Sequence, residues 1–397
     1  MTAALSVSID YQPAATGPFL WQAFDAAALT ADLAAVARAG FQEVRVGLAW
    51  DSFMPDARGV DPRRMGELDT LLRVATAHGL RIVPVLFIQA HGDCVFLPRR
   101  AVRRDARRRG VRVLSDGMQE PGGPRDAWTD PLMLELADRW ARAMAAGFAN
   151  HPAIAAWDLG DDPASVLRPR RITDLAAWVE LAGAPLRERG DRIKITLGAG
   201  DLLSARGVRL GSLSRLLDRI DVAVRSAPLR RLQLPETEAL LFIAQLAQAL
   251  AGDPLAEIGL AVAMPSPGDD DQGTDEPVAA AAVDQLVERR AEAGVSALRA
   301  TGWRDLHPRL RERAPYDRQD WLRRCGLVGL AGDEKAVLGP WSRLARADLP
   351  APSPNPWPPH LDVEAFYANL PGSVLDLASA WHREQEDRPA ILAPSGA

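Results

Sequence analysis

The chain has 397 residues, 47% of them hydrophobic, 25% charged and 6% aromatic, a composition that buries a large core and excludes an intrinsically disordered or fibrous protein. Its formal net charge of −5 lacks the basic footprint with which a nucleic-acid binder displaces counterions from phosphates, so no nucleic-acid partner is expected. No window approaches the roughly 18 uninterrupted apolar residues of a membrane span. The start, MTAALSVSIDYQPAATG, lacks the basic-then-apolar order of a secretory signal, and a cytoplasmic protein without a membrane partner is expected. Two cysteines, Cys94 and Cys325, and six dispersed histidines provide neither a disulfide framework nor metal-ligand spacing, so no cofactor or structural metal is expected.

From the N-terminus, short β-type runs alternate with longer segments of helical period, the pattern of a parallel sheet wrapped by helices. Strands are expected at Leu5 to Ile9, Val44 to Leu48, Arg81 to Phe87, Ala153 to Leu159, Arg192 to Leu197, Asp221 to Val224, within Leu255 to Met264, and at Ser296 to Ala300. They read as buried runs with little polar alternation. Between them Thr30 to Ala39 places Leu33, Val36 and Ala37 on one face before Gly40, and Leu68 to His78 repeats the pattern before Gly79. Further helices are expected over Pro131 to Phe148, Thr173 to Glu188, Glu236 to Ala251 and Glu276 to Ala293. Eight β/α units in about 340 residues predict one closed (β/α)8, or TIM, barrel with loop insertions on its C-terminal face. The barrel is expected to span residues 1–348, with a Pro-rich linker and short C-terminal segment, 349–397, packing on it.

Three stretches interrupt the alternation: residues 88–130 after the third strand, 265–275 after the seventh, and the Pro-rich 349–360. The first two follow barrel strands and are expected to rim the site, because catalytic and binding residues of this fold collect on that face. Between Arg99 and Arg112 the first insertion holds eight arginines against the single Asp105, which reads either as a solvated surface helix or as an anion-binding element. Asp269, Asp270 and Asp271 lack the alternate spacing of a calcium loop and read as a solvated tip.

The segment Asn150 to Pro163, NHPAIAAWDLGDDP, closes a helix, enters a strand and leaves an acidic pair at its C-terminal end. It resembles the cellulase and β-mannanase type of retaining glycoside hydrolase, whose fourth strand ends in Trp-Glu-Leu-x-Asn-Glu-Pro. Gly40-Phe41-x-x-Val44-Arg45-Val46 with Trp50 resembles that family's second-strand signature. Pro315-Tyr316-Asp317, Cys325-Gly326-Leu327-Val328, Gly332-Asp333-Glu334-Lys335 and the tail from Leu361-Asp362 to Tyr367 resemble its closing segments, so the likeness spans nearly the whole chain.

The resemblance implies a sugar-binding barrel whose two catalytic carboxyls, about 5 to 5.5 Å apart in a retaining enzyme, end strands four and seven. The chain departs at both. Asp162 falls at the acid/base position and Asp161 at the preceding Asn, which in the family bonds the sugar 2-hydroxyl. For strand seven two registers compete. Glu257-Ile258-Gly259-Leu260 makes Glu257 the nucleophile, whereas alignment on Pro254 and the closing PSPG places Gly259 there and leaves Glu257 on the stability face. Where the family carries a His-x-Tyr at strand six, Val224-Arg225-Ser226 stands, and the tryptophan platform of strand eight has no counterpart before Trp303.

The candidate site is therefore Asp162 and Glu257 as catalytic residues, with Arg45, Trp50, Asp161, Arg225 and Trp303 as substrate-binding residues. Three readings compete. The first is a catalytically impaired pseudo-hydrolase whose cleft keeps a ligand. The second is an active retaining β-glycosidase with Asp162 as acid/base and Glu257 as nucleophile. The third is a site for an anionic ligand, with Arg45 and Arg225 facing the barrel mouth and phosphate or carboxylate as the partner.

Overall fold

The computed structural model describes residues 4–55, 59–106, 110–163, 167–203, 208–224, 231–262 and 276–387. Eight parallel strands form the barrel: β1 (Ser6–Asp10), β2 (Glu43–Gly47), β3 (Arg81–His91), β4 (Trp157–Asp161), β5 (Ile193–Gly198), β6 (Arg219–Val224), β7 (Glu257–Val262) and β8 (Ala297–Ala300). Each pairs with its sequence neighbour, and β8 closes on β1 in the register Ser6 with Ala297 through Ile9 with Ala300. The expected (β/α)8 barrel is present, with each strand within a few residues of its expected place.

The strands do alternate, contrary to the sequence reading. In β5 the order is Ile193, Lys194, Ile195, Thr196, Leu197, Gly198, and in β6 it is Arg219, Ile220, Asp221, Val222, Ala223, Val224. Successive side chains of a strand point to opposite faces. One set of apolar residues, among them Ile9, Val44, Ile195, Val222, Leu260 and Leu298, joins the helices in the main core cluster. The other set, polar and charged, faces the barrel axis. Both sets are buried, so alternation here divides one buried face from another rather than core from water.

Around the sheet lie α1 (Ala26–Ala39), α2 (Pro62–Ala77), α3 (Pro131–Phe148), α4 (Ile172–Arg187), the single turn α5 (Leu210–Leu213), α6 (Glu236–Ala251), α7 (Glu276–Glu288) and α8 (Leu338–Arg346). Asp25, Asp61 and Asp130 cap the first three by accepting first-turn amides, which starts α1 four residues before the expected Thr30. Gly40 ends α1 at φ 102, a left-handed position that suits glycine. The expected helix Glu276 to Ala293 breaks at Arg289 and resumes as a short turn, Arg290–Ala293.

Beyond the barrel, α9 (Val363–Ala368) and α10 (Gly372–Asp387) follow the Pro-rich segment. They cover α6, whose Gln245 accepts from the Trp381 indole at 2.7 Å and whose Phe242 meets Trp381 edge-on at a centroid distance of 6.1 Å. This cover explains why α6 is buried on nearly every side.

The arginine-rich insertion is no surface helix. It runs through short strands, with Val102–Arg103 against Gly123–Pro124 and Arg112–Ser115 between Cys94–Phe96 and Met118–Glu120. Arg99 pairs with Glu120 at 2.8 Å, and buried Arg112 binds Asp93 at 2.7 Å and Asp317 at 2.7 Å. Arg112 thus ties the insertion after β3 to the segment after β8, while Arg99 braces the insertion internally. Among the described residues no helix is long and apolar enough to cross a membrane.

Gly259 lies in β7 where a Cβ would collide with the Asp221 carboxylate on β6, whereas a Cβ at Gly66 in α2 would meet nothing. Gly259→Ala should therefore cost about 1 to 3 kcal/mol by overpacking. Gly66→Ala should stabilise by roughly 0.5 to 1 kcal/mol through helix propensity. Urea unfolding of the two variants side by side checks both signs.

Candidate functional site

The barrel axis carries a network of buried charge. Arg45 on β2 donates through Nε to Asp158 on β4 at 2.8 Å and grips Asp161 bidentately at 2.9 and 3.1 Å. Its Nη1 lies 3.5 Å from Asp10 on β1. Arg299 on β8 holds Asp10 at 2.5 and 2.6 Å and donates to the Thr196 hydroxyl at 3.3 Å, while that hydroxyl donates to Asp158 at 2.8 Å. Below them Lys194 on β5 bonds Asp221 and lies 3.5 Å from Asp158, and Arg219 meets Asp221 at 2.9 Å. Four cations (Arg45, Lys194, Arg219, Arg299) thus face four carboxylates (Asp10, Asp158, Asp161, Asp221).

The protonation states follow from this pairing. Burial opposes the charge of Asp158, but Arg45 and Lys194 outweigh it and hold the carboxyl below its ordinary range. Asp221 is depressed further, because Arg219, Lys194 and Arg299 together overcome its burial. Burial also opposes the Arg45 charge, and Asp158, Asp161 and Asp10 more than restore it. Burial outweighs the partners at two members, raising Asp161 and lowering Lys194, so the network balances in formal charge while burial opposes its ions.

Above the network opens a cavity of about 170 Å³ at the C-terminal face. Asp10, Arg45, Asp161 and Arg299 form its polar floor, and Ala223 and Ala261 contribute the ends of β6 and β7. Tyr11, Trp321 and His91 stand at its walls. Tyr11 donates to Asp32 at 3.1 Å, and His91 Nε2 shares a hydrogen bond of 3.0 Å with the Tyr316 hydroxyl. Tyr316 and Asp317 of the Pro-Tyr-Asp motif therefore act by docking the segment after β8 onto the insertion after β3. The half-buried Trp321, which sequence reasoning passed over, is an aromatic face at this mouth.

Arg45 and Asp161 come together in the cavity, as a salt bridge. Asp162 takes a left-handed backbone with φ 47 and does not line the cavity. Its carboxyl instead lies where Gly198 leaves room for it and hydrogen-bonds Asp201, in the one-turn helix after β5. Burial, then the neighbouring Asp162, push Asp201 well above the ordinary carboxylate range.

Glu257 is the first residue of β7, opposite Arg219 in register, and pairs with Arg192 at 2.8 Å. It lies on the N-terminal face, about 15 Å along the strand direction from the mouth. Neither strand-seven register describes the mouth, because Gly259 sits deep beside Asp221 and Ala261 is the β7 residue that reaches the cavity.

Trp50 is 3% exposed and packs edge-on against Phe87 at 5.6 Å, in an aromatic row continued by Trp178 and Trp128. It is a core residue. Trp303 is also 3% exposed, and forms a wall of the cavity edge-on to Phe41 rather than an open platform. Arg225, the polar tip 265–275 and part of the arginine run, 107–109, lie outside the described residues.

A signal for the network was present in the sequence. Lys194 is one of only two lysines in the chain and sits between Ile193 and Ile195, and Arg299 sits between Leu298 and Ala300. A charged residue in the middle of an apolar run, repeated over several strands, marks inward-facing positions.

Lys194→Met keeps the volume and removes one cation from between Asp158 and Asp221. It should cost about 3 to 5 kcal/mol in urea unfolding at neutral pH, the penalty of an unpaired buried charge. A second test concerns Asp51, next to Trp50. Burial raises its pKa from 3.8 to about 6, with the Asp116 amide donating to it at 2.6 Å. The folded chain then holds a proton that the unfolded chain releases, so this group's contribution to stability declines as pH rises from about 4 to about 6. Asp51→Asn should raise stability by on the order of 2 kcal/mol at pH 7.5 and leave it unchanged near pH 3.5, as read by thermal unfolding across that range.

No protein-family model matches the sequence, and no curated protein matches it; the likeness to known proteins is structural. An exo-beta-1,4-mannosidase from Opitutaceae bacterium strain TAV5 superposes with a TM-score of 0.68 at 20% identity over 86% of this chain, which spans 59% of that enzyme's length. A GH5_18 protein from Streptomyces cattleya, in complex with Manb1-4GlcNAc, gives 0.72 at 18% identity over 95% of this chain and 97% of its own. Endo-glycoceramidase II from a Rhodococcus species gives 0.57 at 16% identity over 86% of this chain and 79% of its own. At these identities the shared property is the fold alone, a (β/α)8 barrel.

Proposed function

We propose that this protein is a glycoside-hydrolase-like barrel that binds a neutral sugar at its mouth without hydrolysing it. The carrying observation is the state of the carboxylates at the end of β4. Asp161 is held bidentately by Arg45, and Asp162 is turned onto Asp201, away from the cavity. Across the mouth, β7 presents the methyl of Ala261. A retaining mechanism needs a free nucleophile and an acid/base about 5 to 5.5 Å apart, and an inverting one needs two carboxyls about 6.5 to 9.5 Å apart. Asp162 and Glu257, at opposite ends of the barrel, meet neither distance.

The same balance argues against an anion at the mouth. Arg45 and Arg299, the guanidinium groups of the cavity floor, are already engaged by Asp10, Asp158 and Asp161. A neutral polyol suits a floor of paired donors and acceptors with an aromatic wall, and the structural neighbour from Streptomyces cattleya holds a neutral disaccharide. The reading extends to localisation, with the protein acting in the cytoplasm.

Calorimetric titration with methyl β-mannoside and methyl β-glucoside, alongside the matching uronates, tests the ligand class. The neutral series should bind more tightly, and stronger binding of the uronates would overturn the assignment. With aryl β-mannosides and β-glucosides, turnover should fall at least about a thousandfold below a competent glycosidase, whose rates run from roughly 1 to 1,000 per second. Turnover in that ordinary range, abolished by Asp162→Asn, would restore the hydrolase.

A further inference from the structure

Outside the mouth, a groove of about 590 Å³ runs between α1 and α8, a volume typical of small-molecule sites. Four arginines line it: Arg38 from α1, Arg304 after β8, and Arg343 and Arg346 from α8; Glu334 is its single lining carboxylate. Arg304 pairs with Asp32 at 3.1 Å and Arg343 pairs with Asp284. Arg346 donates to the neutral carbonyl of Arg38 at 2.8 Å, and neither Arg346 nor Arg38 has a carboxylate partner among the described residues. Arg38 and Arg346 are exposed, and with Glu334 as the one carboxylate of the lining the groove keeps a surplus of positive charge, whereas the charges at the barrel mouth are matched.

Two further features point the same way. The first turn of α8, Leu338 and Gly339, forms part of the wall, and no side chain caps this helix, so its positive end adds to the field. Trp303, 3% exposed, lines the groove as well as the mouth cavity, and its indole N–H has no acceptor among the described residues. Ala35, Ala39 and Val328 give an apolar side beside the charges, which suits the organic part of a ligand.

We propose that the α1–α8 groove, which lies behind the mouth and shares only Trp303 and Arg304 with it, is a second binding site, for a small phosphate-bearing molecule such as a phosphate monoester or a polyphosphate. Arg38 and Arg346 grip the anion, since planar guanidinium groups match phosphate oxygens in pairs.

Calorimetric titration of the full chain with inorganic pyrophosphate at physiological salt tests the site. One saturable site is expected, weakened at least roughly tenfold in the double variant Arg38→Gln, Arg346→Gln. It should be unchanged in Arg103→Gln, Arg104→Gln, which removes exposed charge from the arginine-rich insertion instead. Near-UV circular dichroism establishes that each variant keeps its packing, and Arg38→Gln alone serves if the double substitution disturbs α8. Absence of saturable binding up to about 10 mM overturns the proposal. So does equal affinity in the groove variants, or loss of binding in the insertion variant. Neutral-sugar titration of the same variants reads the mouth independently, so failure of one assignment is distinct from failure of the other.

Discussion

A charge inside a protein must be paired, and in this barrel that requirement organises everything around the axis. Asp158 is fully buried and meets Arg45, Lys194 and Thr196, which come from three other positions in the sheet. Taking each ion out of water costs several kcal/mol, and a pair 4 Å apart recovers only about 4 kcal/mol at an effective dielectric of 20. The network therefore adds little net stability over an apolar filling. What it does impose is position, because every alternative register would leave a carboxylate or guanidinium unpartnered. The interiors of such barrels are usually filled with Val, Ile and Leu, and here that role passes to ion pairs.

The same pairing shapes the mouth. The upper members of the network, Asp10, Arg45, Asp161 and Arg299, are also the floor of the cavity. A ligand reaching that floor meets groups whose charge is already satisfied, so hydrogen bonding and shape decide what binds there. Asp162, excluded from this set, finds its partner in Asp201 and leaves the cavity. Charge that is not consumed by the network lies elsewhere, on helices α1 and α8.

The insertions complete the site by a second set of pairings. Arg112, buried in the insertion after β3, reaches Asp317 in the segment after β8, and His91 reaches Tyr316 beside it. Lys335 donates to Asp305 at 2.7 Å and draws the end of that segment back to its start. These contacts bring Trp321 to the mouth from a stretch with little regular structure. Nothing in local spacing places Trp321 there, since its position depends on contacts more than 200 residues apart in sequence.

The sequence by itself determined the eightfold alternation of strand and helix and the glycine stop of α1, because periodicity and a terminal glycine act over a few residues, whereas the starts of α1 and α2 fell earlier, at their Asp25 and Asp61 caps. At the end of β4 residue identity alone set Asp161 and Asp162 where the resemblance implies Asn and Glu, while for strand seven it left two registers open. Tertiary structure decided which charges meet. Lys194, Asp221 and Arg299 stand on strands between 27 and 105 residues apart, and only closure of the barrel makes them one cluster. Closure also settled that Glu257 faces the N-terminal end and Ala261 the mouth, because in a parallel strand depth is set by register against its neighbours, and register is a property of the whole sheet.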